Sequence, residues 1–313
     1  MEKTHCDLCG ANDADTVYAN AAWRQPVPDG LELVRCRQCG LMYLNPRPSW
    51  DEIGAYYSAD YAPFRPAIED ERLGLMRWVR RRKLNQRRRQ IEHYSGLKSG
   101  RILDVGCATG LFLHEMAHAG WEVAGVEPIA SAADYARQRL HLDVFQGLLA
   151  EAPYPHRSFD VVTFWDVLEH TLSPTAELAH AASLLRSGGL LAINVPNWHS
   201  LDRRIFGPYW IGLDPPRHLY VFTRPTLTAL LEKSGFRLLD WICFMPSYFA
   251  FIASVERWLI AIGPCWAPLV NQMLNLPGMR FVFEPWFALA NWLKYAGVIS
   301  VFARKEVRSI ERE

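Results

Sequence analysis

Apolar and polar residues alternate in blocks through the middle of the chain, and the blocks follow two periods. Residues 102–105 (ILDV), 122–127 (EVAGVE), 159–166 (FDVVTFWD) and 190–197 (LLAINVPN) are largely apolar runs of strand length. Runs of this kind read as strands buried in a parallel sheet. The segments between them, beginning with Leu111 to Ala119, carry apolar residues at helical spacing, and Gly188-Gly189 closes the helical pattern ahead of the last strand. The alternation over about 100–245 predicts an α/β, doubly wound, mostly parallel sheet with helices on both faces and ligands at the carboxyl ends of the strands. Val298 to Lys305 (VISVFARK) reads as a final strand that completes the sheet.

The first strand-to-helix junction is RILDVGCATGLF, Arg101 to Phe112. A glycine-bearing turn there lets a ligand approach bare backbone, and the helix start adds free N–H groups. A Walker loop is excluded because no Gly-Lys-Ser/Thr follows, and a dinucleotide GxGxxG is excluded because the glycines stand only at Gly106 and Gly110. Glu127, at the tip of the next strand, can accept hydrogen bonds from ribose hydroxyls.

Four of the seven cysteines form two pairs, Cys6-x-x-Cys9 and Cys36-x-x-Cys39, each followed by glycine. Two such turns present four thiolates to one metal, so a structural zinc without an open coordination position is expected, in a two-hairpin ribbon with a long loop. Ser49 with Glu52 forms a capping box for a short helix beyond the ribbon. The run MRWVRRRKLNQRRR, Met76 to Arg89, reads as a solvated helix packing Leu73, Met76, Val79 and Leu84 on the main domain. A nucleic-acid platform would interleave aromatic residues with the arginines, so no nucleic-acid partner is expected.

The motifs LDVGCATGLFL, VAGVEP, FDVVTFWDVLEH and LLRSGGLLAINVPN stand in order over about 101–244. In that order they resemble class I S-adenosylmethionine-dependent methyltransferases. With the CxxC…CxxC ribbon and NPRP ahead of them, they resemble the bacterial type associated with polysaccharide and natural-product biosynthesis. The resemblance implies a Rossmann-like seven-stranded sheet and S-adenosylmethionine as cofactor. It places the cofactor against Asp104, Gly106, Cys107, Ala108, Gly110, Glu127, Pro128, Leu148, Leu149 and Asp166, the glycine turn holding the methionine part and Glu127 the ribose. Ala108 replaces the family's middle glycine. Leu148 replaces its acid after the third strand, so a backbone N–H at Leu148 or Leu149 would have to serve.

Methyl transfer needs an aligned nucleophile and a group to take its proton. The segment DVLEH offers Glu169 and His170, and DPPRHLYVFT, Asp214 to Thr223, offers His218 beside Arg217 on a loop that roofs the site in this fold. His218 is the first candidate base, with His170 and Glu169 behind it, and Arg217 is expected to lower the pKa of His218.

Half of the residues are hydrophobic and the formal net charge is +1, so composition gives no general reason for a polyanionic partner. No secretory signal and no spanning run of about 20 apolar residues is evident, and a cytoplasmic protein is expected. The segment 242–297 is rich in Trp, Phe and Pro, with Pro264, Pro268 and Pro277 against a spanning helix. It fits a helical lid, a dimer face or interfacial helices at the inner face of a membrane. The resulting organisation is a zinc-ribbon module (1–48), a helical linker (49–98), a methyltransferase domain (99–244 and 297–306) and an apolar insertion (245–296). The expected activity is methyl transfer to a small molecule, foremost a hydroxyl of a saccharide or lipid-linked saccharide. C-methylation of a quinone- or ketosugar-type acceptor, a nucleic-acid-binding ribbon scaffold and a cofactor-binding but inactive fold are the alternatives.

Overall fold

The structure, a computed structural model, describes residues 1–23, 27–57, 74–244, 248–263, 265–274, 276 and 278–306. Three short strands come first, β1 (Ala14–Tyr18), β2 (Leu33–Cys36) and β3 (Met42–Leu44), then the short helix α1 (Trp50–Ile53) and the long helix α2 (Gly74–Ser95). The central α/β run is β4 (Arg101–Val105), α3 (Leu111–His118), β5 (Glu122–Glu127), α4 (Ala130–Arg139), β6 (Val144–Gln146), β7 (Phe159–Trp165), α5 (Pro174–Leu184) and β8 (Leu185–Pro196). Next come α6 (Leu201–Phe206), β9 (Tyr220–Val221), α7 (Arg224–Lys233) and β10 (Phe236–Phe244). Three helices, α8 (Tyr248–Ile262), α9 (Ala267–Leu274) and α10 (Met279–Trp292), then precede the last strand, β11 (Val298–Lys305).

Among the described residues the main sheet has seven strands in the order β10-β11-β8-β7-β4-β5-β6. Every pairing from β8 to β6 is parallel, and β11 alone runs against its neighbours β8 and β10. This is the doubly wound, Rossmann-like architecture expected from the alternating blocks. Ile102, Leu103, Val161, Val162, Leu191 and Ile193 are wholly buried at its centre. Burial on both faces explains why these strands lack a polar alternation.

One local expectation is corrected. Gly188-Gly189 does not close a helix: α5 ends at Leu184, and the pair lies inside β8. A Cβ at Gly189 would fall 3.0 Å from Arg186 O and 3.2 Å from Asp160 O, so the glycine serves close backbone approach to β7. In the ribbon, β1 pairs with β2 and β2 with β3, both antiparallel, and the sheet β1-β2-β3-β9 adds a strand from beyond the main sheet's β8. Asp7, within the first CxxC turn, also accepts from Ser173 Oγ at 2.6 Å and Thr175 N at 2.7 Å at the start of α5. Pro268 lies in the first turn of α9, where a proline is tolerated, just past the break that separates α9 from α8, and Pro264 and Pro277 fall outside the described residues.

The capping box forms as expected, with Ser49 N donating to Glu52 Oε2 at 2.9 Å. Leu84 of α2 is buried, whereas the side chains of Leu73, Met76 and Val79 lie outside the described residues. No helix among the described residues is long and apolar enough to cross a membrane. The insertion nevertheless exposes large apolar side chains, including Trp266, Phe281 and Trp292.

Candidate active site

At the carboxyl ends of β4 and β7 the chain opens a cavity of about 720 Å³. Its floor is the glycine turn. Gly106 N and Cys107 N both donate to Val126 O of β5, at 2.7 and 3.1 Å, and Gly106, Ala108 and Gly110 take φ of 65°, 48° and 78°. The two glycines are steric requirements as well as conformational ones. A Cβ on Gly106 would stand 2.6 Å from Val167 Cγ2, and one on Gly110 would stand 2.6 Å from Leu142 Cδ1.

Asp104 lines the cavity, is almost fully buried, and accepts from Thr163 Oγ1 at 2.6 Å. Burial pushes its carboxyl up to about 7, against the pull of Thr163. A buried carboxyl of this kind is the complement of a cationic amine, such as the α-ammonium of S-adenosylmethionine. Glu127 is also buried, and burial raises its carboxyl above the ordinary range. Its oxygens accept from Ala108 N at 2.8 Å and Ile129 N at 2.9 Å, and a carboxylate retains lone pairs beyond these two bonds for ribose hydroxyls. A glycine turn whose backbone a ligand can approach closely, with one acid lining the cavity and another bonded to the turn, fits the cofactor.

The structure brings Asp104, Gly106, Cys107, Ala108, Asp166, Glu169, His170 and His218 to one cavity. Gly110, Glu127, Pro128, Leu148 and Leu149 stand outside its lining. The backbone N–H of Leu148 is already engaged, donating to Glu151 Oε2 at 2.9 Å. That bond ties down one of the two N–H groups expected to replace the missing acid, the other being that of Leu149.

The wall opposite the turn holds the titratable groups. Glu169 and His170 sit on a short 3₁₀ turn after β7, and His218 comes from the loop before β9. The two imidazoles meet edge to face with ring centres 4.6 Å apart. His218 Nδ1 lies 2.9 Å from Gly212 O, and His170 Nδ1 lies 3.0 Å from Arg217 O and 2.9 Å from the Tyr57 hydroxyl. A carbonyl oxygen only accepts, so each hydrogen is assigned to Nδ1 and each Nε2 keeps a lone pair. Burial lowers both histidines. That of His170 falls to about 3, helped by His218, while for His218 the opposing pull of Asp214 is smaller than the cost of burial. Arg217 does lower His218 as expected, but as a lesser contribution than burial. Glu169 is 1% exposed, and burial, reinforced by Asp166, raises its carboxyl far above the ordinary range. Its Oε2 has no hydrogen-bond partner among the described residues. Glu169, His170 and His218 each bring a ligand atom within 4.8 Å of the other two, a set that could also take a cation.

Several lining residues were not singled out as site residues. Arg87 of α2 reaches over the Trp165 ring at 4.6 Å and pairs with Asp166 at 3.1 Å. Its only sequence signal is its position three residues after buried Leu84, on one helical face. Trp210 gave no signal and Asp214 only its place at the head of DPPRHLYVFT, because their roles depend on how the 210–218 loop folds back.

The four ribbon cysteines also converge. Cys6 Sγ is 3.3 Å from Cys39 Sγ, and Cys9 Sγ is 3.5 Å from Cys36 Sγ. These separations far exceed a disulfide bond and suit the edges of a tetrahedral thiolate site.

Residues 76–240 match the methyltransferase domain family. The ubiquinone biosynthesis O-methyltransferase of Rhodopseudomonas palustris (strain TIE-1) is 27% identical over 220 residues, covering 68% of this chain and 82% of that protein. A Galdieria sulphuraria structure named for sarcosine and dimethylglycine methylation superposes with a TM-score of 0.51 at 14% identity, covering 78% of this chain and 91% of the other. The cyclase SpnF superposes with a TM-score of 0.50 at 20% identity, covering 71% and 81%. At such identities the two structures speak for the fold alone.

Proposed function

The chain belongs to the S-adenosylmethionine-dependent class I methyltransferases, and on that premise we propose that it methylates a hydroxyl of an amphiphilic small molecule. The observation that carries this reading is that His170 and His218 line one cavity with the glycine turn, each with Nδ1 committed to a carbonyl oxygen so that Nε2 keeps its lone pair. S-adenosylmethionine supplies a methyl group on a sulfonium centre whose departure as a thioether needs no acid. The chain's own residues therefore have to hold, align and deprotonate the acceptor. His218 Nε2 takes the hydroxyl proton, and Gly212 O holds the resulting imidazolium at Nδ1. Asp104 and Glu127 hold the cofactor's amine and ribose.

Trp165, Trp210, Ile211 and Phe112 give the cavity an apolar side. That side suits a ring or lipid portion of the acceptor better than a free sugar, so a lipid-linked saccharide or a quinol-type ring is preferred. The name of the R. palustris relative supports O-methylation over C-methylation. The exposed apolar face of α8, α9 and α10 supports delivery of the acceptor from a lipid surface. The four cysteines are assigned to one structural zinc, with every coordination position filled by thiolate.

Transfer of labelled methyl from S-adenosylmethionine, measured across quinols, lipid-linked saccharides, free sugars and polynucleotide, tests the reading. Label in the first two classes is expected. Label confined to free sugar or polynucleotide would overturn it.

A further inference from the structure

Both histidines owe their tautomer to one loop. The acceptor for His218 Nδ1 is Gly212 O, and the acceptor for His170 Nδ1 is Arg217 O. Whatever holds residues 211–217 therefore decides which ring nitrogens face the cavity. Within the loop, Asp214 binds Arg217 through two bonds, Nε to Oδ2 at 2.7 Å and Nη2 to Oδ1 at 2.9 Å. Those bonds close the loop on itself but do not fix its place. Asp214 also takes φ of 29°, a backbone conformation that side-chain-bearing residues rarely adopt without support.

The support comes from the insertion. Arg257 Nη2 donates to Asp214 Oδ1 at 2.7 Å, and Ser254 Oγ accepts from Ile211 N at 3.0 Å. Residues 254 and 257 lie three apart on α8, so one helical face makes both contacts. This face is anchored in the core: Ser254 is fully buried, and Phe251 packs edge to face on Phe206 of α6 with ring centres 5.6 Å apart. A helix packed in this way is a fixed strut.

We infer that Arg257, acting through Asp214, is a positioning residue that holds the 211–217 loop and thereby sets the tautomers of His170 and His218. The apolar insertion thus takes part in the chemistry without touching the reacting atoms. Its outer face is free for another role, while its inner face keeps two Nε2 lone pairs directed at the acceptor. This assignment rests on the proposed role of the histidines. Loss of Arg257 leaves Asp214 with its local partner Arg217, and leaves the loop the Ser254 bond and the bond from Arg217 Nη1 to Tyr56 O at 3.3 Å, so the fold persists while Asp214 loses its anchor on α8.

The test uses the full chain with ¹⁵N-labelled histidine, comparing the parent with Arg257→Ala, Arg257→Lys and Ser254→Ala. Long-range ¹H–¹⁵N spectra read the tautomers directly, without turnover. In the parent, both rings are expected to carry hydrogen on Nδ1. In Arg257→Ala, one or both are expected to become mixed, with kcat down about 10- to 100-fold and cofactor affinity unchanged. Arg257→Lys, which keeps a cation but not the fork, is expected to recover part of the loss. Ser254→Ala is a gentler perturbation of the same loop and is expected to change the spectra in the same direction, which keeps the test open should Arg257→Ala not fold. Unchanged tautomers in folded Arg257→Ala or in Ser254→Ala would overturn the inference. Changed tautomers with full turnover would instead overturn the catalytic role of the histidines and leave the positioning intact.

Discussion

The backbone N–H of Ala108 donates to Glu127 Oε2 at 2.8 Å, tying the middle of the glycine turn to the acid at the tip of the neighbouring strand. Ala108 is held at φ 48°, where alanine is strained, and this bond is what holds it there. Glu127 shapes the turn, and in the proposed function it also receives the ribose.

Glu127→Ala is expected to weaken S-adenosylmethionine binding by more than tenfold, since a charged acceptor is worth roughly 1.5–3 kcal/mol. Because the Ala108 and Ile129 bonds are lost as well, the unliganded protein should also melt at a lower temperature. Calorimetry and thermal unfolding check the two effects separately. Unchanged affinity would remove Glu127 from the cofactor site.

Asp104 gives the cofactor site a pH dependence. Its carboxyl is raised to about 7 by burial, so below that pH it is protonated and cannot pair with an ammonium group. Affinity for S-adenosylmethionine is expected to fall as pH drops below about 7, and Asp104→Asn should flatten that dependence while weakening binding. The sign for stability is the reverse. A carboxyl raised in the folded state costs stability above its folded pKa and regains it as pH falls, so Asp104→Asn should raise the melting temperature of unliganded protein at about pH 8 more than at about pH 5.5. Titration calorimetry and melting curves across pH decide both.

For the histidines, His218→Ala is expected to lower turnover by roughly 10²–10⁴ with cofactor affinity little changed. His170, wedged between His218 and Tyr57, should cost both turnover and cofactor affinity when replaced by Ala. Burial lowers the pKa of both rings, so they stay neutral to lower pH than a free imidazole. The acid limb of kcat should accordingly lie below the ordinary histidine value of about 6.5. Full turnover by the His218 variant with its true acceptor would move the base to Glu169 or His170.

The zinc assignment predicts one zinc per chain in protein purified without chelator. Removing the metal should disturb the active site as well as the ribbon, because Tyr43 of β3 pairs with Tyr220 of β9, two residues after His218. Chelation is expected to lower both the melting temperature and kcat, and returning zinc to restore them. Elemental analysis showing clearly less than one zinc per chain would remove the assignment. A second equivalent that survives mutation of Cys36 would point to the Glu169–His170–His218 set.

The buried strands were legible in the sequence because burial on both faces leaves a chemical trace, an apolar run of strand length. The observed bounds of β5 (Glu122–Glu127) and β11 (Val298–Lys305) coincide with the runs EVAGVE and VISVFARK. The glycine turn was legible too, since Gly106 and Gly110 take a backbone conformation and a closeness of approach that a side chain would obstruct. Each of these features restricts residue type over consecutive positions, and residue type by position is what a sequence records. The tertiary structure decided everything that depends on distant segments meeting: β9 closing the ribbon sheet, Arg87 reaching over Trp165, and Arg257 anchoring Asp214 across 43 positions. An arginine in a basic run or on an apolar helix carries no mark of its partner, because ion pairs and hydrogen bonds are set by position in space, and only the folded chain supplies that position.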